Sequence, residues 1–311
     1  MPPSTSEIKQ LVVLSGKGGT GKSSLVAAFA HLSSLDSLDP HTIIVDADVD
    51  AANLRLVIQP QESSPTEFWG GSLADIDPEL CLGCGDCASV CRYDAVIQQA
   101  DRKIFQIDPM ACDGCAACVY ACPQKAISMI QQQEGLWFYS KTPYGDLYDA
   151  ELFPGKENSG KLVTTIKQRA RLCAEENHAS LIVVDGPPGI GCPVISACAG
   201  ANLGLIVTEP SVMGLHDLKR ILGVLQHFKI PTVICINKSD LYPEGTRHIE
   251  EFASLEGIQI LESIPFDEHI PQAMLKGMPI TAAFPNSESA KAIRHLWDSV
   301  LGLLNREAKK E

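Results

Sequence analysis

Eight of the chain's twelve cysteines stand in two runs, Cys81-x2-Cys84-x2-Cys87-x3-Cys91 and Cys112-x2-Cys115-x2-Cys118-x3-Cys122, whose starts are 31 residues apart. No other feature restricts the backbone so tightly. Each run puts three thiols on one tight turn and a fourth a step further on. Each is followed by a short apolar segment, so 81–97 and 112–128 read as an internal duplication rather than a solenoid. Gly83, Gly85 and Gly114 suit turns whose amides point at sulfur. A disulfide framework needs an oxidising compartment. The stretch Met1–Gln10 is polar and lacks the apolar core of a signal peptide, and the apolar runs are of strand length, so the expected setting is cytoplasmic. Regular CxxC spacing there reads as metal ligation. A zinc site needs four ligands, usually as two separated pairs, not two runs of four.

Outside the cysteine runs the texture changes. Residues 9–15, 42–47, 181–185, 203–208 and 231–236 are Val/Ile-rich apolar runs, as expected of parallel strands buried on both faces. Helical periodicity falls at 24–31, 161–176, 214–228, 245–255 and 287–305. The alternation predicts an α/β fold with a doubly wound, mostly parallel sheet. The cysteine-rich stretch interrupts it, giving three segments: 1–59, an inserted 60–148, and 149–311. The net charge of −13 argues against non-specific nucleic-acid binding and points to protein partners.

Gly16-Lys17-Gly18-Gly19-Thr20-Gly21-Lys22-Ser23 matches GxxxxGK[ST] between a strand and a helix that begins near Ser24. In that setting the backbone amides and the helix N-terminus converge on phosphate. Lys22 is expected to reach the β- and γ-phosphates, and the Ser23 hydroxyl to bind Mg²⁺.

The second lysine of the loop, Lys17, makes it resemble the deviant Walker A of the MinD/ParA/Mrp class, which includes the nitrogenase iron protein. The resemblance implies ATP binding and hydrolysis in a nucleotide-sandwich dimer, with Lys17 crossing to the other subunit's phosphates. The dimer would form with itself or with a paralogous ATPase. Asp46-Ala47-Asp48, with Asn53 and Leu54, resembles switch I: Asp48 would orient or activate the attacking water and Asp46 would lie near Mg²⁺. Asp185-Gly186-Pro187-Pro188-Gly189 resembles the Walker B and switch II segment, with Asp185 on the Mg²⁺ shell and the Gly189 amide sensing the γ-phosphate. Asn237-Lys238 resembles the base-reading position, Asn237 selecting adenine, and Pro265-Phe266-Asp267 a loop that closes over the base.

The cysteine runs are similar to those of bacterial two-cluster ferredoxins, in which the fourth cysteine of each run ligates the other cluster. That likeness assigns Cys81, Cys84, Cys87 and Cys122 to one [4Fe-4S] cluster and Cys112, Cys115, Cys118 and Cys91 to a second. Arg92 follows Cys91 where such ferredoxins usually carry Pro, as Pro123 does here; it is expected to raise that cluster's potential. The chain thus resembles MinD-superfamily ATPases with an inserted α+β ferredoxin-like domain, a subgroup associated with small metal-cofactor-binding proteins of the orange-protein type. Three functions fit: nucleotide-gated electron transfer to a redox partner; assembly or carriage of Fe-S or metal cofactors, although the C-terminal CxxC of many such carriers is missing; and a positioning ATPase whose clusters are structural or redox-sensing.

Cys173 and Cys235 read as packed thiols, and Cys198 has no clear counterpart in the class resembled. Cys192, seven residues after Asp185, is read first as a buried structural thiol and otherwise as a ligand bridging a dimer. His216 reads as structural, and Glu157–Val163 as a loop and helix start. Ile293, Leu296, Trp297, Val300, Leu301 and Leu304 form a C-terminal stripe expected to pack on the sheet rather than on a membrane.

Overall fold

The computed structural model describes residues 8–35, 42–101, 103–156 and 159–307. Glu157 and Asn158 of the Glu157–Val163 segment lie outside them. Two compact units emerge: Met1–Thr66 with Leu136–Glu311, and Glu67–Gly135. The smaller is narrower than the expected 60–148, because the chain on both sides of it already belongs to the large sheet.

The strands are β1 (Lys9–Ser15), β2 (Thr42–Asp46), β3 (Glu62–Ile76), β4 (Val96–Gln98), β5 (Phe105–Ile107), β6 (Ile127–Thr142), β7 (Gly145–Leu152), β8 (Leu181–Pro188), β9 (Leu203–Thr208), β10 (Thr232–Asn237) and β11 (Gln259–Ile264). The helices are α1 (Lys22–Ser34), α2 (Leu54–Ile58), α3 (Asp86–Val90), α4 (Ala117–Ala121), α5 (Ser159–Glu176), α6 (Cys192–Cys198), α7 (Val212–His227), α8 (Pro243–Glu256), α9 (His269–Leu275), α10 (Ile280–Ala283) and α11 (Glu288–Glu307).

In the larger unit the sheet runs β11-β10-β9-β1-β8-β2-β7, with β6 and then β3 beyond β7. From β11 to β7 every pairing is parallel. The five apolar runs form β1, β2, β8, β9 and β10. Two further parallel strands were not legible as apolar runs. β7 (GDLYDAEL) and β11 (QILESI) carry polar residues between their apolar ones, so neither forms a continuous apolar run. Both faces of the central strands are covered by helices, and α11 supplies much of one layer. Its Trp297 ring lies 4.8 Å from that of Phe29 on α1. Ile293, Leu296, Trp297, Val300 and Leu304 are buried in this core, with Leu301 packed at its margin. No helix among the described residues is long and apolar enough to cross a membrane.

The smaller unit is made of the far part of β3, α3, the antiparallel β4–β5 pair, α4 and the first part of β6. The duplication reaches further back than the cysteines. The Cys81 amide donates to the Asp77 carbonyl (3.1 Å), and the Cys112 amide to the Asp108 carbonyl (3.0 Å). Each aspartate carboxylate also accepts an amide two residues on, from Glu79 and Met110, both at 2.9 Å. Gly83 and Gly114 have positive φ, and a Cβ on either would run into a backbone carbonyl, of Lys103 and Ser72 respectively.

Candidate functional site

The phosphate loop leaves the C-terminal end of β1 at the centre of the sheet, where open α/β folds bind ligands. Gly21, at φ 96°, turns the chain into α1. Side chains are excluded at both ends of the loop: a Cβ on Gly16 would strike the Asp217 backbone, and one on Gly21 the Asn237 amide. A cavity of about 1080 Å³ opens over the loop. It is lined by Gly18, Gly19, Gly21, Lys22, Ser23 and Ser24, by Asp48 and Asn53 between β2 and α2, and by Asn237, Lys238, Phe266 and Asp267. The structure therefore brings the expected loop, switch I and base-side residues to one cavity. Thr20 is buried beneath it with an unpartnered hydroxyl.

The Lys22 ammonium is buried and donates to Ser15 Oγ at 2.8 Å. Ser15 Oγ donates in turn to the Lys17 carbonyl at 2.6 Å. Asp46, the last residue of β2, and Asp185, within β8, face each other across the two paired strands, both wholly buried. Asp46 accepts the amides of Asp48 and Leu54, each at 3.1 Å, so its carboxylate ties the segment after β2 to the sheet. Burial and the neighbouring Asp185 push its carboxyl well up. Neither oxygen of Asp185 has a hydrogen-bond partner of good geometry, although the Ser23 hydroxyl is close. Burial pushes Asp185 up to about 6 against the pull of Lys22. An orphaned carboxylate beside a hydroxyl at the phosphate loop is the oxygen-only donor set a hard divalent cation takes. The residues present fit Mg²⁺. Asp48 is raised by burial, opposed by Lys22.

Several expected contacts are already engaged within the chain. Asn237 Nδ2 donates to the Thr20 carbonyl at 2.7 Å, and its Oδ1 accepts the Lys238 amide at 3.0 Å. Its amide thus braces the phosphate loop. The Gly189 amide donates to the Ser15 carbonyl at 3.1 Å. Phe266 N–H donates to Asp240 at 2.7 Å, and Asp267 accepts His269 Nδ1 at 2.6 Å, with Pro265 held through its carbonyl by Ser289. Burial would raise Asp267; hydrogen bonds from His269, Ser289 and Ser287 win and lower it.

Two residues escaped the sequence reading. Ser15 is the last residue of β1, and Glu209 directly follows β9. Glu209 pairs with Lys17 Nζ at 2.8 Å through one oxygen and with Lys238 Nζ at 2.5 Å through the other. The available signal was position: both lie at the C-terminal ends of adjacent central strands.

Cys192 is a correction. It is exposed, not buried. The buried stripe of α6 is Val194, Ala197 and Cys198, and Cys192 falls two residues off it, on the opposite side. Cys173 and Cys235 are buried as expected, Cys198 is buried too, and Gly160 packs against Cys192.

In the smaller unit the eight cysteines sort into two fours. One small cavity is lined by Cys81, Cys84, Cys87 and Cys122, another by Cys91, Cys112, Cys115 and Cys118. In each the fourth thiol comes from the other run. Cys87 and Cys118 are the buried members, and burial raises both thiols; Cys84 and Cys115 are exposed. Cys122 Sγ also accepts the Ala126 amide at 3.3 Å. Among the described residues no three potential ligands converge closely enough to hold a single metal ion.

The chain is 32% identical over 293 residues to an uncharacterized protein of Methanocaldococcus jannaschii, covering 94% of this chain and 96% of that one. It is 33% identical over 127 residues to an iron-sulfur cluster carrier protein of Aquifex aeolicus, a match spanning 37% of this chain and 35% of the carrier. Among solved structures, the septum site-determining protein MinD of Pyrococcus horikoshii, complexed with Mg-ADP, superposes with a TM-score of 0.60 at 18% identity, covering 97% of this chain and 99% of that one. The CobQ/CobB/MinD/ParA nucleotide binding domain matches residues 11–280, and the chain belongs to that family.

Proposed function

We propose that this chain is an ATP-binding and hydrolysing iron-sulfur protein that couples nucleotide state to electron transfer to a partner protein. The observation that carries the reading is the sorting of eight cysteines into two cavities of four, each completed by the opposite run. Four thiols spread around a cavity, rather than converged on one ion, suit a many-atom centre. Each set of four would hold one [4Fe-4S] cluster, which when bound stores and releases one electron. Cross-ligation by Cys91 and Cys122 makes the two halves one body.

In the larger unit, Lys22 and Ser23 would bind phosphate and Mg²⁺, with Asp185 and Asp46 on the metal's shell. Asp48 would hold the attacking water. Lys17 would reach across a nucleotide-bound dimer, formed with itself or with a paralogue. β3, which leads into the cysteine unit, begins shortly after switch I in the chain, and β6 leads out of it. That connection supports coupling by the switch logic of phosphate-loop proteins.

The test is potentiometry of the anaerobically reconstituted chain, which is expected to hold about eight irons. Midpoint potentials are measured with and without a non-hydrolysable Mg-ATP analogue. A nucleotide-dependent shift is expected; unchanged potentials sink the coupling. A second reading, an ATP-dependent Fe-S carrier, is favoured by the likeness to the Aquifex carrier. Transfer of iron and sulfide to an apo-ferredoxin, with loss from this chain, would replace the first reading by the second.

A further inference from the structure

We propose that Glu209 is a positioning residue of the nucleotide site, setting the resting place of Lys17 and holding it away from phosphate until a nucleotide-bound dimer forms. The proposal rests on the dimer reading above.

The geometry is that of a clamp. One carboxylate spans two cations from different loops: Lys17 of the phosphate loop at 2.8 Å and Lys238, after β10, at 2.5 Å. Lys238 Nζ also approaches the Gly19 carbonyl at 3.4 Å, so the clamp closes on the phosphate loop from both sides. Its root is rigid. Glu209 follows the fully buried β9 and precedes the Ser211 cap of α7. Gly214 packs so closely on the Glu209 carbonyl that a Cβ there would clash. Thr208 Oγ1 bonds the Gly214 carbonyl at 3.2 Å, fixing the turn from the other side. Lys238 is held in turn at a positive φ of 56°, a conformation that costs a non-glycine residue and persists only where its surroundings impose it.

The carboxylate is also electrostatically committed. Burial alone would push its carboxyl up, yet the two lysines hold it below the usual glutamate range, so at neutral pH it is an anion. Held on Glu209 within its own subunit, Lys17 would have to leave that carboxylate to reach across to a second copy. A phosphate presented by a second copy must displace Glu209, and the cost of that exchange delays dimer formation. Lys238, on the base side, would keep Glu209 in place after Lys17 leaves.

The test measures the concentration of Mg-ATP analogue that half-converts the full-length, reconstituted chain to dimer, by anaerobic sedimentation. Glu209→Gln keeps the shape and removes the charge. The pair is partly exposed, so the expected gain is modest: about two- to tenfold less analogue needed. In a Lys17→Ala background the Glu209→Gln change is expected to make no difference. Monomer affinity for Mg-ADP, measured in parallel, is expected to stay within about twofold. Glu209→Asp, with the charge on a shorter arm, is expected to fall between wild type and Glu209→Gln, and stands in if the latter misfolds. The proposal is overturned if wild type and variant dimerise at the same analogue concentration. It is equally overturned if ADP affinity and dimerisation fall together, the mark of a mere brace for Lys238. A wild-type chain that stays monomeric with the analogue overturns the dimer reading itself, and the two failures are thereby told apart.

Discussion

The two units solve the problem of a core in opposite ways. The larger buries Leu11, Val13, Phe29, Ile44, Leu147, Val183, Leu205 and Leu296 between sheet and helices, a hydrocarbon core independent of any ligand. The smaller has a core cluster of Ala74, Ile76, Cys87, Cys118 and Ile127, with Cys81, Cys112, Cys122, Phe105 and Ile107 among the side chains packed against it. Five of its candidate ligands belong to that core or pack on it. A unit of this size buries too little apolar surface to stand alone without disulfides, metal or a partner. The larger unit should therefore hold its fold without cofactor and the smaller should not.

The largest effect expected breaks the smaller unit alone. Cys87→Ser or Cys118→Ser, each a buried thiol at the centre, should halve the iron content, from about eight to about four atoms, or abolish it. Limited proteolysis should then cut within 67–135 while 136–307 stays resistant. Cuts distributed over both units would show that the comparison is wrong. The complementary variant, Lys22→Ala, should leave the iron content intact and lower ATP hydrolysis by at least about 100-fold, since a donor aimed at developing phosphate charge is lost. Iron loss in that variant would mean that the two units do not fold independently.

What the sequence made legible follows the same division. The phosphate loop and the cysteine runs are short-range devices, whose spacing and glycines dictate local geometry. Gly21 and Gly83 each sit where the structure leaves no room for a Cβ. Glu209 was not legible, because its importance comes from β9 lying beside β1, a pairing between residues almost two hundred positions apart in sequence. Asn237 shows the same limit. Its position after β10 is readable, but the bond of its amide to the Thr20 carbonyl is a tertiary fact. Cys192 misled because its neighbours are apolar; only the short register of α6 decides which face it takes. β3 and β6 were missed because Gly, Ser and Gln fill them, so neither apolar runs nor regular alternation marks their length.

A smaller effect probes the larger unit's polar interior. Asp149 on β7 is buried, with one oxygen unpartnered and the other 3.4 Å from Arg55. Burial raises its carboxyl to about 6, against the pull of Arg55. The folded state thus keeps a proton that the unfolded chain, at an ordinary value of about 4, gives up. Its contribution to stability is full below about pH 4, falls as pH rises to about 6, and is flat above. Asp149→Asn should remove this cost and stabilise the larger unit at pH 7 by about 1 to 3 kcal/mol, with a shallower loss between pH 4 and 6. The slope should flatten rather than vanish, because Asp185 carries one of the same sign. Thermal unfolding of the larger unit across that range is the measurement; an unchanged slope would mean that Arg55 fully compensates the burial.

The smallest effect sharpens the contrast inside the cysteine unit, between its two halves. Gly85 follows Cys84 and has φ 86°; Ala116 follows Cys115 and has φ 61°. The duplication therefore asks for the same left-handed turn twice and supplies glycine only once. An alanine there pays a steric penalty of about 1 kcal/mol, partly offset because glycine is more disordered when unfolded. Ala116→Gly should stabilise the reconstituted unit by up to about 1 kcal/mol, and Gly85→Ala should destabilise it by a similar amount. The readout is anaerobic chemical denaturation followed by cluster absorbance, which reports this unit and not the larger one. Opposite signs are the requirement. If both variants destabilise, Ala116 is fixed by packing of its methyl group, and the two halves differ in more than one turn.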